Sequence, residues 1–286
     1  MRITDRMIQM NTMAGLRANL ARLNEAQRQA TSGKRIQSVS DNPVDASQVM
    51  SMQGQIGGVE QYKRNATSAV TRLATEDTVL KASRDLLSRA RALAISVNAS
   101  DPADPARAAA LEQLNVIQEQ LVSLGNTRVG NERLFGGGET NPPFQADGSY
   151  VGGIAVHDVR IDDSVTLPTS HTGAIFAASF QALDQLKTAL TSGTATDIAA
   201  TVTPLADAEE GLLAIQAQNG VRQQQVDETV KQLGRRQSVL LDRMQALTDV
   251  DPAEAMIKVT ATARTLEQAY AVAQRTLSVN ILDYMK

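Results

Sequence analysis

A chain of 286 residues, 42% apolar, has room for two or three domains with a real core. Only 3% is aromatic and Trp is absent, so that core is Leu, Val, Ala and Met, which favours helix bundles over sandwiches. A net charge of −3 argues against nucleic acid as the main partner, and zero Cys excludes disulfides, zinc thiolates and thiol nucleophiles.

Residues 3–31 read as a helix that stops at Ser32-Gly33. Along it Met13, Leu16, Leu20 and Leu23 recur in steps of three and four, the seam of a supercoiled helix. Residues 1–35 carry seven bases against two acids. A basic end opposite an acidic body offers attraction between subunits, and an ordinary solvated helix face fits the charges equally well. The segment from Gly33 to Pro43 is a polar turn with Ile36 and Val39 as apolar pins. Asn42 caps the next helix and Pro43 opens it.

That second helix has Val49, Met52, Ile56, Val59, Ala66, Val70, Leu73, Leu80 and Leu87 on a repeating seam that runs to about Val97. More than fifty periodic residues imply a coiled-coil rod. Gly54, Gly57 and Gly58 weaken its start and allow a bend or a close helix crossing. Asp101 to Pro105 is a turn that restarts a helix, with Leu114, Ile117, Leu121 and Leu124 as its seam before Gly125. This third helix is expected as an antiparallel neighbour of the second.

Turn punctuation then takes over at Gly136-Gly137-Gly138, Pro142-Pro143, Asp147-Gly148 and Gly152-Gly153. Tyr150-Val151, Ile154-Ala155-Val156, Val159-Arg160-Ile161 and Val165-Thr166-Leu167 read as short strands of a β-rich insertion at 136–175. Phe176, Phe180, Leu183, Leu186 and Leu190 make a short helix, followed by a Thr/Ala-rich stretch containing Gly193. A second long helix runs from Pro204 to about Leu247, with its seam at Val226, Val230, Leu233, Leu240, Met244 and Leu247.

The break at Asp249-Val250-Asp251-Pro252 starts the terminal helix. Asp251 can cap it, Pro252 suits its first position, and Glu254 stands where a capping box wants a carboxylate. Met256 leads into Val259, Ala263, Leu266, Tyr270, Ala273, Leu277, Asn280 and Tyr284, again in steps of three and four. Two seams at opposite ends of the chain invite pairing. Each is a narrow stripe, shallow at Ala263 and Ala273, so the pair is expected to be marginal alone and to become ordered when other copies pack around it.

Catalytic chemistry finds little to hold. His157 and His171 are the two histidines, both in the insertion, and two imidazoles without Cys or a tight carboxylate cluster rarely make a zinc site. Surface or turn histidines are the plainer reading. The glycines at 136–138 lack a following Gly-Lys-Ser/Thr and read as a tight turn, and Asp162-Asp163 reads as a charged loop. No catalytic, cofactor or metal residue is nominated, and an enzyme is not expected. Met7, Met10 and Met13 form either a soft contact surface or a plain helix face. The apolar side of the basic first helix is thin for a membrane surface, and no run of the sequence is apolar enough to span a bilayer. The N-terminus lacks an apolar h-region with a small-residue cleavage site, which fits either a cytoplasmic protein or one exported without a cleaved signal.

Particular residues add what periodicity cannot. Thr31-Ser32-Gly33-Lys34-Arg35-Ile36 followed by Ser40-Asp41-Asn42-Pro43 and Ala46 resembles the signature after the first helix of the bacterial flagellin superfamily. Tyr270-Ala271 and the closing Ser278-Val279-Asn280-Ile281-Leu282-Asp283-Tyr284 are similar to that superfamily's last helix. Gly130-Asn131-Glu132-Arg133-Leu134-Phe135-Gly136-Gly137, Pro142-Pro143-Phe144 and Gly148-Ser149-Tyr150-Val151-Gly152 resemble its hook-filament junction branch, the FlgL type of hook-associated protein.

The resemblance implies a mainly α fold with a small outward β insertion, a paired terminal coiled coil and a long antiparallel helical bundle. It implies three regions: 1–42 with 249–286 for assembly, 43–135 with 176–248 as the long-helix rod, and 136–175 as the outer insertion. The expected role is a structural adaptor in the flagellum between the hook-side junction protein and the flagellin filament. Such proteins leave through the flagellar type III channel without a cleaved signal, held beforehand by an export chaperone. The expected assembly contacts are Met13, Leu16, Leu20, Leu23, Met256, Val259, Ala263, Leu266, Tyr270, Ala273 and Leu277. The rival readings are a short flagellin that forms the filament itself and a soluble coiled-coil or membrane-surface binding module. Neither nucleic acid nor stable membrane insertion is expected.

Overall fold

The computed structural model describes the backbone of residues 2–98 and 105–284 and the side chains of 6–98 and 105–275. Seven α-helices account for most of those residues: α1 (Arg2–Ser32), α2 (Pro43–Ser96), α3 (Pro105–Gly125), α4 (Ala177–Ser192), α5 (Ala195–Ala200), α6 (Val202–Thr248) and α7 (Pro252–Tyr284). Four short strands form two antiparallel hairpins, β1 (Arg128–Val129) with β2 (Glu132–Arg133) and β3 (Asp158–Arg160) with β4 (Thr166–Pro168). The expected mainly α fold with a small β insertion is what the chain adopts. It divides into two compact units, one of residues 1–57 and 237–286, the other of 58–236.

In the second unit the heptad reading of α2 is literal. Val59, Ala66, Leu73, Leu80, Leu87 and Ala94 stand seven apart and all are buried. α6 carries the matching row Leu205, Leu212, Val226 and Leu233, with a buried Asn219 in the same series. The two helices run antiparallel, since Arg84 Nη1 donates to Gln216 Oε1 at 3.0 Å while Arg91 Nε lies 3.4 Å from Glu209 Oε1. The bend glycines behave as plain helix. A Cβ on Gly54, Gly57 or Gly58 would meet nothing within 4 Å, so no close crossing among the described residues uses them.

The large core joins α2 from Val79 to Val97 with α3, α4 and the start of α6. All four phenylalanines of the sequence lie in it. Phe135 meets Phe176 edge-on at 5.0 Å, and Phe144 lies 5.3 Å from Phe180 and 5.3 Å from Tyr150. Glycines make the room. A Cβ on Gly125 would strike the Phe144 ring at 2.6 Å, and one on Gly173 would strike Tyr150 at 2.3 Å and Phe144 at 2.7 Å. The motif segments 134–137 and 142–152 are therefore an aromatic clasp, closed where Gly153 N–H donates to Gly136 C=O at 2.9 Å. Gly137, at φ +61°, faces Gly153 so closely that its Cβ would fall 1.9 Å from the Gly153 oxygen.

Several expectations are corrected. α3 lies beside α2 in the large core, and it also packs closely on α4, where Ser179, Ala182 and Ala189 give a small-residue face. The expected turn before α3 lies largely outside the described residues. Ile154-Ala155-Val156 is not a strand: Gly152 and Gly153 are held against the 136–137 turn, no partner strand lies alongside, and Ile154 is 92% exposed. Tyr150 makes a single bridge to Phe144 around the Asp147-Gly148 turn. The β1–β2 hairpin lies ahead of the expected insertion and turns on Gly130 at φ +61°. In the Thr/Ala-rich stretch, Thr194 and Asp197 form a capping box that starts α5.

The candidate assembly surface

The first unit is built on a joint. α1 ends because Gly33 takes φ +68° and its N–H still reaches the Gln29 C=O at 2.9 Å. Lys34 then pairs with Asp249 in a single antiparallel bridge, with Arg35 N–H donating to Thr248 C=O at 2.6 Å and Val250 N–H to Gly33 C=O at 3.0 Å. The Arg35 guanidinium binds Asp45 Oδ2 at 2.8 Å and the Leu247 C=O at 2.7 Å. One basic side chain thus ties the start of α2 to the end of α6.

Asp41 organises the turn. Its Oδ2 accepts from the N–H groups of Gln37 at 3.0 Å and Ser38 at 2.9 Å, and Arg28 reaches its other oxygen at 3.3 Å. Those backbone bonds first, and the Arg28 charge after them, hold its carboxyl below the usual carboxylate value. Asp249 is lowered in the same way by the hydrogen bond from Lys34 and then the one from Thr248. Asn42 Oδ1 accepts from Val44 and Asp45 N–H, both at 3.2 Å, which makes it the expected cap of α2. Ile36 is half-buried, but Val39 is 59% exposed and pins nothing within the chain; it borders a shallow cavity of about 440 Å³ with Ile36, Ala46, Val49, Met50 and Met244.

From this joint α1 and α7 run back together as an antiparallel pair, marked by Lys258 Nζ donating to Gln29 Oε1 at 3.1 Å. Asp251 caps α7 through the Ala253 N–H at 2.8 Å. The seam between the two helices is thin and small. Ala26, Ala255, Leu266 and Ala273 are buried, and Leu16, Leu23, Val259 and Ala263 are half-buried. Ala26 and Ala255, the most enclosed of these positions, carry no long apolar side chain, so a search for Leu and Met periodicity passes over them.

The nominated residues therefore fall into two sets. Leu16, Leu23, Val259, Ala263, Leu266 and Ala273 serve the pairing of α1 with α7. Met13, Leu20, Met256 and Tyr270 point to solvent, where Met7, Met10, Ile257 and Val272 join them, Met10 at 63% and Ile257 at 69% exposure. The side chain of Leu277 lies outside the described residues. Among the described residues the two helices thus turn a narrow apolar stripe on each other and leave most of their larger apolar side chains exposed.

Neither histidine organises a site. His157 is exposed, with Nδ1 3.7 Å from Glu132 Oε2. His171 departs from the surface reading: it is mostly enclosed and paired with Glu76. Among the described residues no cluster of three or more His, Cys, Asp or Glu could hold a metal ion. No described helix is long and apolar enough to cross a membrane.

A bridged joint, paired terminal helices and a long heptad pair define a class. The bacterial flagellin N-terminal helical region matches residues 3–140, and the flagellin C-terminal helical region matches residues 202–285. The chain belongs to the bacterial flagellin family. Within it, the chain is similar to the flagellar hook-associated protein 3 of Salmonella typhimurium, 30% identical over 177 residues, which cover 61% of this chain and 56% of that protein. The protein of the same name from Escherichia coli is 28% identical over 222 residues, 73% of this chain and 69% of that one. The crystal structure of Bacillus cereus FlgL shares the fold at a TM-score of 0.61 and 20% identity, over 68% of this chain and 99% of that one. The chain thus spans little more than half the length of the Salmonella relative.

Proposed function

We propose that this protein is a structural component of the bacterial flagellum, an axial adaptor that joins the hook-side junction protein to the flagellin filament. The observation that carries the reading is the uncovered apolar side of the α1–α7 pair, with Met7, Met10, Met13, Leu20, Met256, Ile257 and Tyr270 open to solvent. Other copies cover that side on assembly, and the thin pair becomes fully ordered there. In this reading residues 1–42 and 249–286 assemble, 43–135 and 176–248 form the shell of long helices, and 136–175 is the outer insertion. Met13, Leu16, Leu20, Leu23, Met256, Val259, Ala263, Leu266, Tyr270, Ala273 and Leu277 line the assembled core. The protein works by binding its neighbours and not by catalysis. It leaves the cell through the flagellar export channel without a cleaved signal, and an export chaperone masks its sticky ends until then.

The relatives named hook-associated protein 3 support the adaptor over a short flagellin, the second reading. A strain lacking this gene decides between them. An adaptor's loss leaves hooks standing while flagellin spills into the medium. Filaments of normal length on the deletion strain would overturn the adaptor, and bare hooks with no released flagellin would favour the filament protein.

A further inference from the structure

The heptad seam of α2 contains a carboxylate among its apolar side chains. Glu76 lies between Leu73 and Leu80 and is 0% exposed. Its Oε1 accepts from the His171 N–H at 3.2 Å and lies 2.8 Å from the His171 Nδ1. In the tautomer with hydrogen on Nδ1, the ring donates that bond to the carboxylate. The other carboxylate oxygen and the His171 Nε2 are enclosed and find no hydrogen-bond partner in the protein.

The facing helix repeats the pattern. Asn219 is fully buried with both its amide atoms unpaired, and the Nη1 of Arg222 is enclosed without a partner. The register set by Arg84 with Gln216 and Arg91 with Glu209 brings Asn219 and Arg222 to the stretch of α2 between Glu76 and Ser83. Ser83 is itself buried in the seam, its hydroxyl turned back to the Val79 C=O. A polar band thus crosses the unit.

This band falls where the apolar packing divides. On one side lies the large core from Val79 onward. On the other, Ala66, Ala69, Leu73 and Val226 pack under Ile161 and Leu167 of the β3–β4 hairpin as a separate, smaller cluster. Val159 and Val165 pack beside it, Arg160 lies over the Tyr62 ring, and exposed polar bonds add to these: Tyr62 OH to Asp163 Oδ1 at 2.9 Å, Asn65 Nδ2 to Arg160 C=O at 2.7 Å and Arg236 to Asp163 at 3.3 Å.

We propose that the polar band splits this unit into two separately opening cores, and that Glu76 is the latch holding residues 157–171 onto the helix pair. In the closed state Glu76 and His171 each bury a polar atom that no protein group pairs, and opening gives both side chains to bulk water. A small apolar cluster and a few solvated bonds hold the hairpin against that gain. The large core ties several helices together through many more apolar side chains than the cluster under the hairpin, so the hairpin opens alone.

Hydrogen exchange followed by mass spectrometry on the full-length monomer tests this. Peptides from 157–171 should exchange at least about tenfold faster than those from 80–97 and 112–124, with a much weaker dependence on sub-denaturing urea, since opening the hairpin exposes only its small cluster. Glu76→Leu should speed exchange of 157–171 about tenfold further while leaving 112–124 at its wild-type rate; Glu76→Gln, which keeps a carbonyl for the two His171 donors, should restore most of the protection. Exchange of both regions in step, or with the same urea dependence, in the wild-type chain would overturn the split. Equal acceleration of both by Glu76→Leu, or none of either, would overturn the latch.

Discussion

The two ends of this chain and its middle are built from the same material by opposite rules. In the middle, Leu73, Leu80, Leu87, Leu114, Leu121, Leu183 and Leu186 are enclosed on all sides, and four Phe rings close the top of the core. At the ends, α1 and α7 meet along alanines, and many of their larger apolar side chains stay half-buried or exposed. Helical periodicity alone does not separate the cases, since both regions show steps of three and four. What separates them is whether a third and fourth element arrives to cover the stripe. α3, α4 and the aromatic clasp do so in the middle, and no described element of this chain does so for the terminal pair.

The largest expected difference is in single-residue cost. Phe176 is fully buried and touches both Phe135 and Phe144. Phe176→Ala should destabilise the monomer by about 3–5 kcal/mol, because the rigid glycine-lined clasp cannot collapse into the space. Leu23→Ala, half-buried on the terminal pair, should cost about 1 kcal/mol or less on the same urea titration. If the two costs proved equal, the terminal pair would be as self-sufficient as the core and the contrast would fail.

A smaller effect on the monomer sharpens the comparison from the other side. Leu20 is 44% exposed and Met13 51%, so Met13→Asp with Leu20→Asp should move monomer stability by no more than about 0.5 kcal/mol per site. The same pair of changes should abolish incorporation into the flagellum, since buried, unpaired carboxylates would face the next subunit. Electron microscopy of complemented deletion cells reads the outcome. Normal filaments from the double variant would remove these two residues from the assembly surface.

What the sequence made legible follows the same physics. Local chemistry was readable: Asn42 caps, Pro43 opens, Gly33 stops and Asp251 caps again, each because one residue's backbone needs a particular partner or angle. Long-range pairing of the ends was readable from two matching stripes. The 154–156 segment was misread because alternation says nothing about whether a partner strand exists, and Ile154 faces open solvent. Glu76 was invisible for a related reason: a carboxylate at a seam position reads as an interruption until the fold brings His171 to it. The glycines at 136–137 looked like a turn, and only the structure shows the second backbone lying against them.

The smallest expected effect concerns pH at the joint. Asp41 has a folded carboxyl value below the ordinary 3.8, so its contribution is fully present above that value and is lost as pH falls through the lowered one. Its largest causes are the bonds from the Gln37 and Ser38 N–H groups, ahead of the Arg28 charge. Salt screens charges far more than it weakens hydrogen bonds. Amide exchange at Gln37 and Ser38 should therefore lose protection as pH falls below about 4, relative to the intrinsic rate, and raising the salt should change this little. Asp41→Asn keeps an acceptor oxygen and should remove the pH dependence while keeping part of the protection. A loss that salt reproduces at neutral pH would mean that the Arg28 ion pair, not the backbone bonds, holds the turn, and the joint would then owe its shape to charge and not to the capping chemistry of its motif.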